Sequence, residues 1–227
     1  MTALTALTAQ NTQGVHGVHE VPLDFIESQI RVCLDDLGAD AIKTGMLHSA
    51  PVIERVVSVL SDYAHIPLIC DPVMRAKGGH ILLQEEAQSA LSELLLPLAY
   101  IITPNVPEAE ALTGLQIDDV ADMDRAGKAL CAMGTQLALM KGGHLETETM
   151  TDLLVSAFTA QELAPGRHRS DSRHTHGTGC TLAAALATGV AQDLDAFSAA
   201  KQAVQFVSGA MAHAPGFGSG HGPLNHA

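Results

Sequence analysis

The chain has 227 residues, 47% of them hydrophobic, and a formal net charge of −13. This length can bury a sizeable core within one α/β domain, and the composition argues against a disordered chain. The acidic balance argues against broad nucleic-acid binding, which needs a basic face. A few lysines and backbone N–H groups can still hold an anionic small molecule on an acidic protein. No apolar run reaches the length of a membrane span.

The four cysteines have no paired C-x-x-C spacing, and no signal peptide is visible at the N-terminus. We therefore expect a reduced, cytoplasmic protein with no membrane partner. Cys33, Cys70 and Cys131 lie in apolar patterns and are predicted to be buried small side chains.

Strand and helix patterns alternate along the chain, with short apolar runs predicting strands and apolar residues at helical spacing predicting helices. In chain order, we predict a strand over 3–9, a helix over 22–37, a strand over 39–44, a helix over 51–63, a strand over 66–71, a helix over 84–96, a strand over 100–103, a short helix over 107–112, a helix over 119–133, strands over 136–140 and 152–155, and closing helices over 178–190 and 195–212. This alternation predicts a mostly parallel, three-layer α/β sheet in one domain over 1–227.

Two segments carry no strand or helix pattern. Residues 161–176 are polar and rich in His, Arg and Ser, and residues 214–227 form a Gly-rich tail. Both are predicted to be mobile, and whether 161–176 closes as a lid stays open.

Polar or Gly-rich segments follow several of the predicted strands. They are 71–74, 103–108, 141–144 and 175–180. In open α/β sheets, ligands bind beyond the carboxyl ends of the strands. The four segments therefore predict one shared site.

The segment 175–180 carries two glycines just before a predicted helix. Gly177, Thr178 and Gly179 would let the backbone approach an anion, which the helix N-terminus attracts. A tight turn with a Thr cap explains the same pattern equally well. It is not a Walker loop, because no Lys-Ser/Thr follows the last glycine. At this helix start Cys180 is expected to have a lowered pKa and a reactive or proton-accepting thiolate; a buried small residue is the alternative.

Other strand ends supply lysines and a carboxylate. Lys77, beside glycines, is either a phosphate contact or a solvated loop lysine. Lys141 follows an apolar strand directly and favours a functional interpretation. Asn105 and Glu108 lie in a Pro-bounded turn, where Glu108 either acts through Mg²⁺ and water on nucleotide phosphates or caps the following helix.

Two apolar residues and a set of histidines are ambiguous. Met46 and Val73 lie at strand ends and either wall an apolar pocket or belong to the core. The spacing of His168, His174 and His176 is irregular, which argues against a metal site.

Taken together, the strand-end segments resemble those of a known family. The matching segments are 8–12 with 14–15, 43–47, 71–74 with 76–77, 102–105 with 107–108, 140–144, 175–180 and 222–226. In this order they resemble the hydroxymethylpyrimidine/phosphomethylpyrimidine kinases of thiamine synthesis, within the ribokinase-like superfamily. Cys180 stands where most members of that superfamily carry a catalytic Asp. Sugar kinases fit less well for that reason.

The resemblance implies a three-layer α/β/α ribokinase-like fold, a homodimer, and the use of ATP and Mg²⁺. The γ-phosphoryl group would pass to the hydroxymethyl oxygen of a pyrimidine, and a second one to the resulting monophosphate. Gln10 would recognise the pyrimidine with its donor and acceptor, and Met46 and Val73 would line the pocket.

The remaining roles also follow from the resemblance. Asp71 and Glu108 would organise Mg²⁺, and Lys77 would neutralise the phosphates. Residues 177–179 would hold the transferring group, and Cys180 would occupy the position of the base. Positioning and charge neutralisation should matter more than that base. The nucleotide is assigned to a further set of residues: Lys141, Thr175 and Asn105.

Family members normally begin further upstream, with a strand and a Gly-rich loop that closes over the substrate. We therefore expect a longer parent protein or a fragment, since absence of that strand exposes a sheet edge. Two alternatives stay open. One is a pyridoxal kinase of the same superfamily, and the other is a non-catalytic nucleotide-binding protein.

Overall fold

A computed structural model of the chain describes residues 1–76, 79–145, 149–168 and 172–227. Its central sheet has six strands: β3 (Ile42–Thr44), β4 (Leu68–Cys70), β5 (Ile101–Ile102), β6 (Leu137–Lys141), β7 (Thr149–Val155) and β8 (Ala160–His168). The strands lie in that order; β3 to β6 are parallel, and β7 and β8 continue the sheet antiparallel. The predicted mostly parallel α/β sheet is confirmed.

Two further strands, β1 (Ala6–Asn11) and β2 (Gly14–Glu20), form a separate antiparallel hairpin. The hairpin carries a register shift between Ala9 and Gln10. The sequence analysis predicted the first strand and missed the second. Residues 14–20 alternate glycine and histidine with valine, so their pattern has little of the apolar content that marks a strand.

Seven α-helices connect or cover the strands in the described ranges. They are α1 (Leu23–Asp36), α2 (Ala50–Leu60), α3 (Glu85–Ala90), α4 (Val106–Thr113), α5 (Val120–Ala132), α6 (Thr178–Ala191) and α7 (Ala196–Ala212). After α3 the chain continues as a π-helical turn (Leu91–Leu95) and a short 3₁₀ turn (Leu96–Leu98), so the predicted helix over 84–96 is irregular in its second half. None of the helices in these ranges is long and apolar enough to cross a membrane.

Alternate residues of the parallel strands point to opposite faces of the sheet, which gives three layers. Ile69, Ile101 and Leu139 pack with α6 and α7 on one face. On the other face, residues of α2 to α5 pack against neighbouring strand residues, which include Leu68, Cys70, Ile102, Ala138 and Met140. The sheet is therefore buried on both sides, as parallel sheets normally are.

Two predicted mobile segments are ordered where the structure describes them. Residues 160–168 form β8, held by backbone pairing to β7 and by the fully buried Leu163. In the tail, the N–H of His221 donates to the carbonyl of Thr12 at 2.8 Å, and the N–H of Asn225 donates to Ala210 at 3.0 Å. The strand over 160–168 and the backbone contacts of the tail were not predicted, because they depend on pairing with β7, Thr12 and Ala210 rather than on the local pattern of each segment. Residues 169–171 lie outside the described ranges.

Candidate active site

The carboxyl ends of the parallel strands bring a cluster of charged side chains together. Lys43 belongs to β3, Asp71 directly follows β4, and Lys141 ends β6. Thr103 follows β5, and Glu108 lies in the first turn of α4. The strand-end side chains predicted to share one site therefore do lie close together at this edge of the sheet.

Asp71 lies at the centre of the cluster and is only 2% exposed. Its Oδ1 accepts a hydrogen bond from the Thr103 hydroxyl at 3.3 Å and lies 3.4 Å from Nζ of Lys141. Its Oδ2 lies 3.7 Å from Nζ of Lys43 and has no hydrogen-bond partner among the described residues. A buried carboxylate oxygen without a partner is costly, so this atom is suited to a ligand.

Glu108 and Asn105 form a reciprocal capping box at the start of α4. The N–H of Asn105 donates to Oε2 of Glu108 at 2.9 Å, and the N–H of Glu108 donates to Oδ1 of Asn105 at 2.9 Å. The capping interpretation of Glu108 is thus confirmed. Oε2 of Glu108 also lies 3.8 Å from Nζ of Lys141, so capping and a place in the charged cluster coexist.

The buried charges shift one another's proton affinity. Burial raises the pKa of Glu108, and the Asp71 carboxylate adds to that rise, while Lys141 opposes it. For Lys141, burial by itself lowers the pKa, but the carboxylates of Asp71 and Glu108 together outweigh burial and the pKa is raised. Lys141 therefore stays a cation at neutral pH, as a phosphate contact must.

The Gly-rich loop lies directly beside this cluster. Gly177 has a left-handed backbone (φ 80°) and caps α6, and a Cβ placed on Gly179 would lie 3.3 Å from Nζ of Lys141 and 3.9 Å from Oδ1 of Asp71. The Thr178 hydroxyl donates to the carbonyl of Thr175 at 3.1 Å, which closes the turn. The N–H groups of the first turn of α6 have no partners inside the helix. The loop can therefore bind an anion next to Lys141.

The Cys180 thiol belongs to the same neighbourhood, but its predicted acidity was wrong. Its pKa is raised, first by desolvation of the sulfur and then by the nearby Asp71 carboxylate, whereas Lys43 and Lys141 oppose the rise. Desolvation and the nearby carboxylate together outweigh the helix N-terminus. Cys180 as a residue is exposed, unlike the buried Cys70, although its sulfur is largely desolvated.

The other cysteines follow the sequence prediction only in part. Cys70 is fully buried in β4, and burial raises the pKa of its thiol to about 12. Cys33 and Cys131 are half-buried rather than buried. They lie on the amphipathic helices α1 and α5 at the margin of the core, which local apolar spacing cannot separate from full burial.

The predicted pyrimidine contacts are not all brought together. Met46 and Val73 are half-buried at the ends of β3 and β4, whereas Gln10 is exposed on the hairpin. The segment just before the hairpin contacts this region, because the Thr5 hydroxyl donates to the carbonyl of Met46 at 2.7 Å. Lys77, predicted to contact phosphate, lies outside the described residues.

The sequence analysis missed two members of the cluster, Lys43 and Thr103. Lys43 lies within a segment that carried the family resemblance, but no role was assigned to it. A usable signal was present, because Lys43 precedes Thr-Gly at a strand end much as Lys141 precedes Gly-Gly. Thr103 carried no signal beyond its place after a strand.

The C-terminal tail ties the hairpin and the Gly-rich loop together. The N–H of His176 donates to the carbonyl of Gly222 at 3.1 Å, and Thr181 shares a hydrogen bond of 3.0 Å with Nε2 of His226. The tail also bonds Thr12 in the hairpin turn.

The described ranges hold no group of three or more His, Cys, Asp or Glu side chains fit to hold a metal ion.

The fold and the site define a ribokinase-like small-molecule kinase, with lysines, carboxylates and a Gly-rich helix start at one sheet edge. The phosphomethylpyrimidine kinase family model matches residues 1–225, and the chain belongs to that family. A hydroxymethylpyrimidine/phosphomethylpyrimidine kinase of Bacillus subtilis (strain 168) is 46% identical over 205 residues, which are 90% of this chain and 75% of the relative. The Haemophilus influenzae kinase of the same name is 44% identical over 91% of this chain and 77% of the relative.

Solved structures give the same fold. The phosphomethylpyrimidine kinase of Clostridium difficile 630 matches with a TM-score of 0.80 and 37% identity, over 92% of this chain and 84% of that one. A pyridoxal kinase of Staphylococcus aureus in complex with pyridoxal matches with a TM-score of 0.89 and 32% identity, over 100% of this chain and 81% of that one. An ADP complex of Bacillus subtilis pyridoxal kinase matches with a TM-score of 0.88 and 33% identity, over 100% and 85% of the two chains.

Proposed function

We propose that this chain transfers the γ-phosphoryl group of ATP to 4-amino-5-hydroxymethyl-2-methylpyrimidine and then to its monophosphate. The observation that carries the proposal is the placement of Lys43, Asp71 and Lys141 beside the Gly-rich start of α6. The two ammonium groups and the first turn of α6 lie around Asp71, where the charge of a transferring phosphoryl group can be neutralised. We assign the whole of 1–227 to one kinase domain, because its two cores cover opposite faces of one sheet.

In the first transfer, the hydroxymethyl oxygen forms a bond to the γ-phosphorus. The bond from that phosphorus to the bridging oxygen breaks, and its electron pair leaves with ADP. Residues 177–179 would hold the transferring oxygens, and Lys141 and Lys77 would neutralise them. The hydroxyl proton would pass late in the step to an oxygen of the transferred phosphoryl group, since a loose transition state needs little help from a base. The raised pKa of Cys180 keeps it a neutral thiol at neutral pH, so at the base position it would orient the hydroxyl group rather than take its proton.

The carboxylates fit a magnesium ion shared with the nucleotide. Mg²⁺ is usually held by one or two carboxylates together with phosphate oxygens and water, and Asp71 offers a buried oxygen without a hydrogen-bond partner. Asp71 and Glu108 would hold the ion, which supplies positive charge to the phosphate oxygens. Thr103 and Lys141 keep Asp71 oriented for this role.

The remaining assignments complete the proposal. Lys141, Thr175 and Asn105 would contact the nucleotide, although Oδ1 of Asn105 already caps α4. Gln10 would reach the pyrimidine from the hairpin, above Met46 and Val73. We further propose the homodimer that the family implies and the cytoplasmic location that the unpaired cysteines indicate. Light scattering on the purified protein tests the homodimer.

Pyridoxal is a second candidate substrate. The pyridoxal kinase structures match this chain with TM-scores of 0.88 and 0.89, above the 0.80 of the phosphomethylpyrimidine kinase. Sequence identity points the other way, at 37% against 32–33%. Since side chains rather than backbone shape choose between two similar rings, we place the pyrimidine first.

An ATP-dependent assay on the purified chain tests the proposal with the pyrimidine alcohol, its monophosphate and pyridoxal as acceptors. We expect product from both pyrimidines and a lower kcat/KM for pyridoxal. Asp71→Asn should abolish turnover, whereas Asp124→Asn, at a half-buried side chain of α5 paired with Lys128, should not change it. A chain that binds ATP and phosphorylates none of the three acceptors is the non-catalytic nucleotide-binding protein, and the kinase proposal then fails.

A further inference from the structure

Lys43 is a second lysine at the charged cluster, on the opposite side of Asp71 from Lys141. In the sheet, β3 flanks β4 on one side, and β5 and β6 lie on the other. Accordingly, Nζ of Lys43 approaches Oδ2 of Asp71 at 3.7 Å, and Nζ of Lys141 approaches Oδ1 at 3.4 Å. The two ammonium groups therefore face two different parts of the site.

The two lysines also differ in how far their charges are already paired. Lys141 has two carboxylate neighbours, Asp71 and Glu108. Within the described part of the chain, Lys43 has one carboxylate neighbour, Asp71, at a distance beyond hydrogen bonding. The Lys43 side chain is 22% exposed, against 15% for Lys141. Lys43 thus has donor capacity left for an incoming anion.

Lys43 lies on the acceptor side of the cluster, which is the side of Met46 and Gln10, where the pyrimidine is proposed to bind. A Cβ at Gly45 would lie 2.7 Å from Nζ of Lys43, so the ammonium folds over the stretch of chain that leads to Met46. The carbonyl of Met46 in turn accepts a hydrogen bond from Thr5, the residue just before the hairpin strand that carries Gln10. Glu108 and α4, by contrast, lie beside Lys141.

We infer that Lys43 is a specificity-determining residue that binds the phosphate of the pyrimidine monophosphate in the second transfer; this rests on the function proposed above. In that transfer an oxygen of the acceptor phosphate forms a bond to the γ-phosphorus. The bond from the γ-phosphorus to the bridging oxygen of ATP breaks, and ADP leaves with its electron pair. Two phosphate groups then meet beside the Asp71 carboxylate, and a lysine on the acceptor side offsets that repulsion as a point charge.

The test compares Lys43→Met, Lys43→Arg and Lys128→Met with the unmodified chain. Lys128 pairs with Asp124 on the surface of α5 and serves as the matched control. We expect Lys43→Met to lower the ratio of kcat/KM for the monophosphate to kcat/KM for the alcohol by about 10- to 100-fold, the range of one charge-assisted hydrogen bond. Lys43→Arg should recover part of the loss, and Lys128→Met should leave the ratio unchanged.

Calorimetric titration with the pyrimidine monophosphate keeps the test independent of turnover. The dissociation constant should rise with Lys43→Met by the same factor, while that for the alcohol rises less. Equal losses for both acceptors, or an unchanged ratio, overturn the role of Lys43 and leave the kinase proposal standing. If the unmodified chain phosphorylates neither acceptor, the kinase proposal fails. Calorimetry still tests Lys43 in that case. If the monophosphate binds no more tightly than the alcohol, the role of Lys43 is overturned.

Discussion

Replacing Gly179 by Ala should separate catalysis from stability. Gly179 lies in the first turn of α6, and an added Cβ would lie 3.3 Å from Nζ of Lys141 and 3.9 Å from Oδ1 of Asp71. The methyl group would fill the space between the helix N-terminus and the charged cluster. A phosphoryl oxygen bound there would be pushed away from the first-turn N–H groups.

The two effects of this substitution have opposite signs. Loss of one N–H donor to a transferring group costs about 10²- to 10³-fold in kcat, or about 3 kcal/mol. Alanine is preferred over glycine inside a helix by about 0.5–1 kcal/mol, and the substitution keeps this gain because the crowded neighbour, Nζ of Lys141, is the far end of a flexible side chain and can move aside. For a chain of this size that gain corresponds to a rise in Tm of about 1–4 °C.

Steady-state kinetics and thermal unfolding of the same preparation measure both effects. Gly209→Ala is the matched control, because Gly209 lies in α7 and an added Cβ would meet nothing within 4 Å. The control should gain stability and keep its activity. Full activity in Gly179→Ala, or a fall in Tm that parallels the loss of activity, would refute the reasoning.

Three further substitutions test other parts of the structure. Cys180→Ala should lower kcat with the alcohol more than it lowers ATP affinity. It should affect the monophosphate reaction less, because a phosphate with a second pKa of about 6 is already ionised at neutral pH. Equal losses in kcat and ATP affinity would count against a catalytic role, and Cys33→Ala is the control. Glu108→Gln should remove turnover yet raise the free energy of unfolding at neutral pH. Burial raises the folded pKa of Glu108, so its ionisation destabilises the fold as pH rises from the ordinary glutamate pKa through the raised one. Urea unfolding across that pH window should show the gain over the unmodified chain growing with pH, and a gain that is largest at acidic pH contradicts the assignment. Gly189→Ala should lower the unfolding free energy by about 1–3 kcal/mol through overpacking, because its Cβ would lie 2.9 Å from Cβ of Ala199 between α6 and α7; an unchanged Tm would show that the two helices can separate at little cost.

The regular elements were predictable wherever a local pattern was strong. The helices over 23–36, 120–132, 178–191 and 196–212 agree with the predicted ranges to within one residue at most ends, because apolar spacing and turn residues are local properties of the chain. Strands β2 and β8 were missed for the opposite reason. Their pairing partners, rather than their own composition, make them strands.

The candidate site was predictable in outline. Polar residues after parallel strands must meet at one edge of the sheet, so the sequence alone placed Asp71, Glu108, Lys141 and the loop over 175–180 together. The ordered motifs also led to the correct family, which the match over residues 1–225 confirms.

The tertiary structure decided how these groups act on one another. The helix N-terminus predicted a lowered pKa for Cys180, but folding desolvates its sulfur and brings the Asp71 carboxylate close, and both raise that pKa. Lys43 also belongs to the cluster because it approaches the same carboxylate, although the residues next to Lys43 in the sequence mark it only weakly. Local pattern determines which residues reach the sheet edge; electrostatic interactions in a partly desolvated site depend on distances that only the packed fold sets.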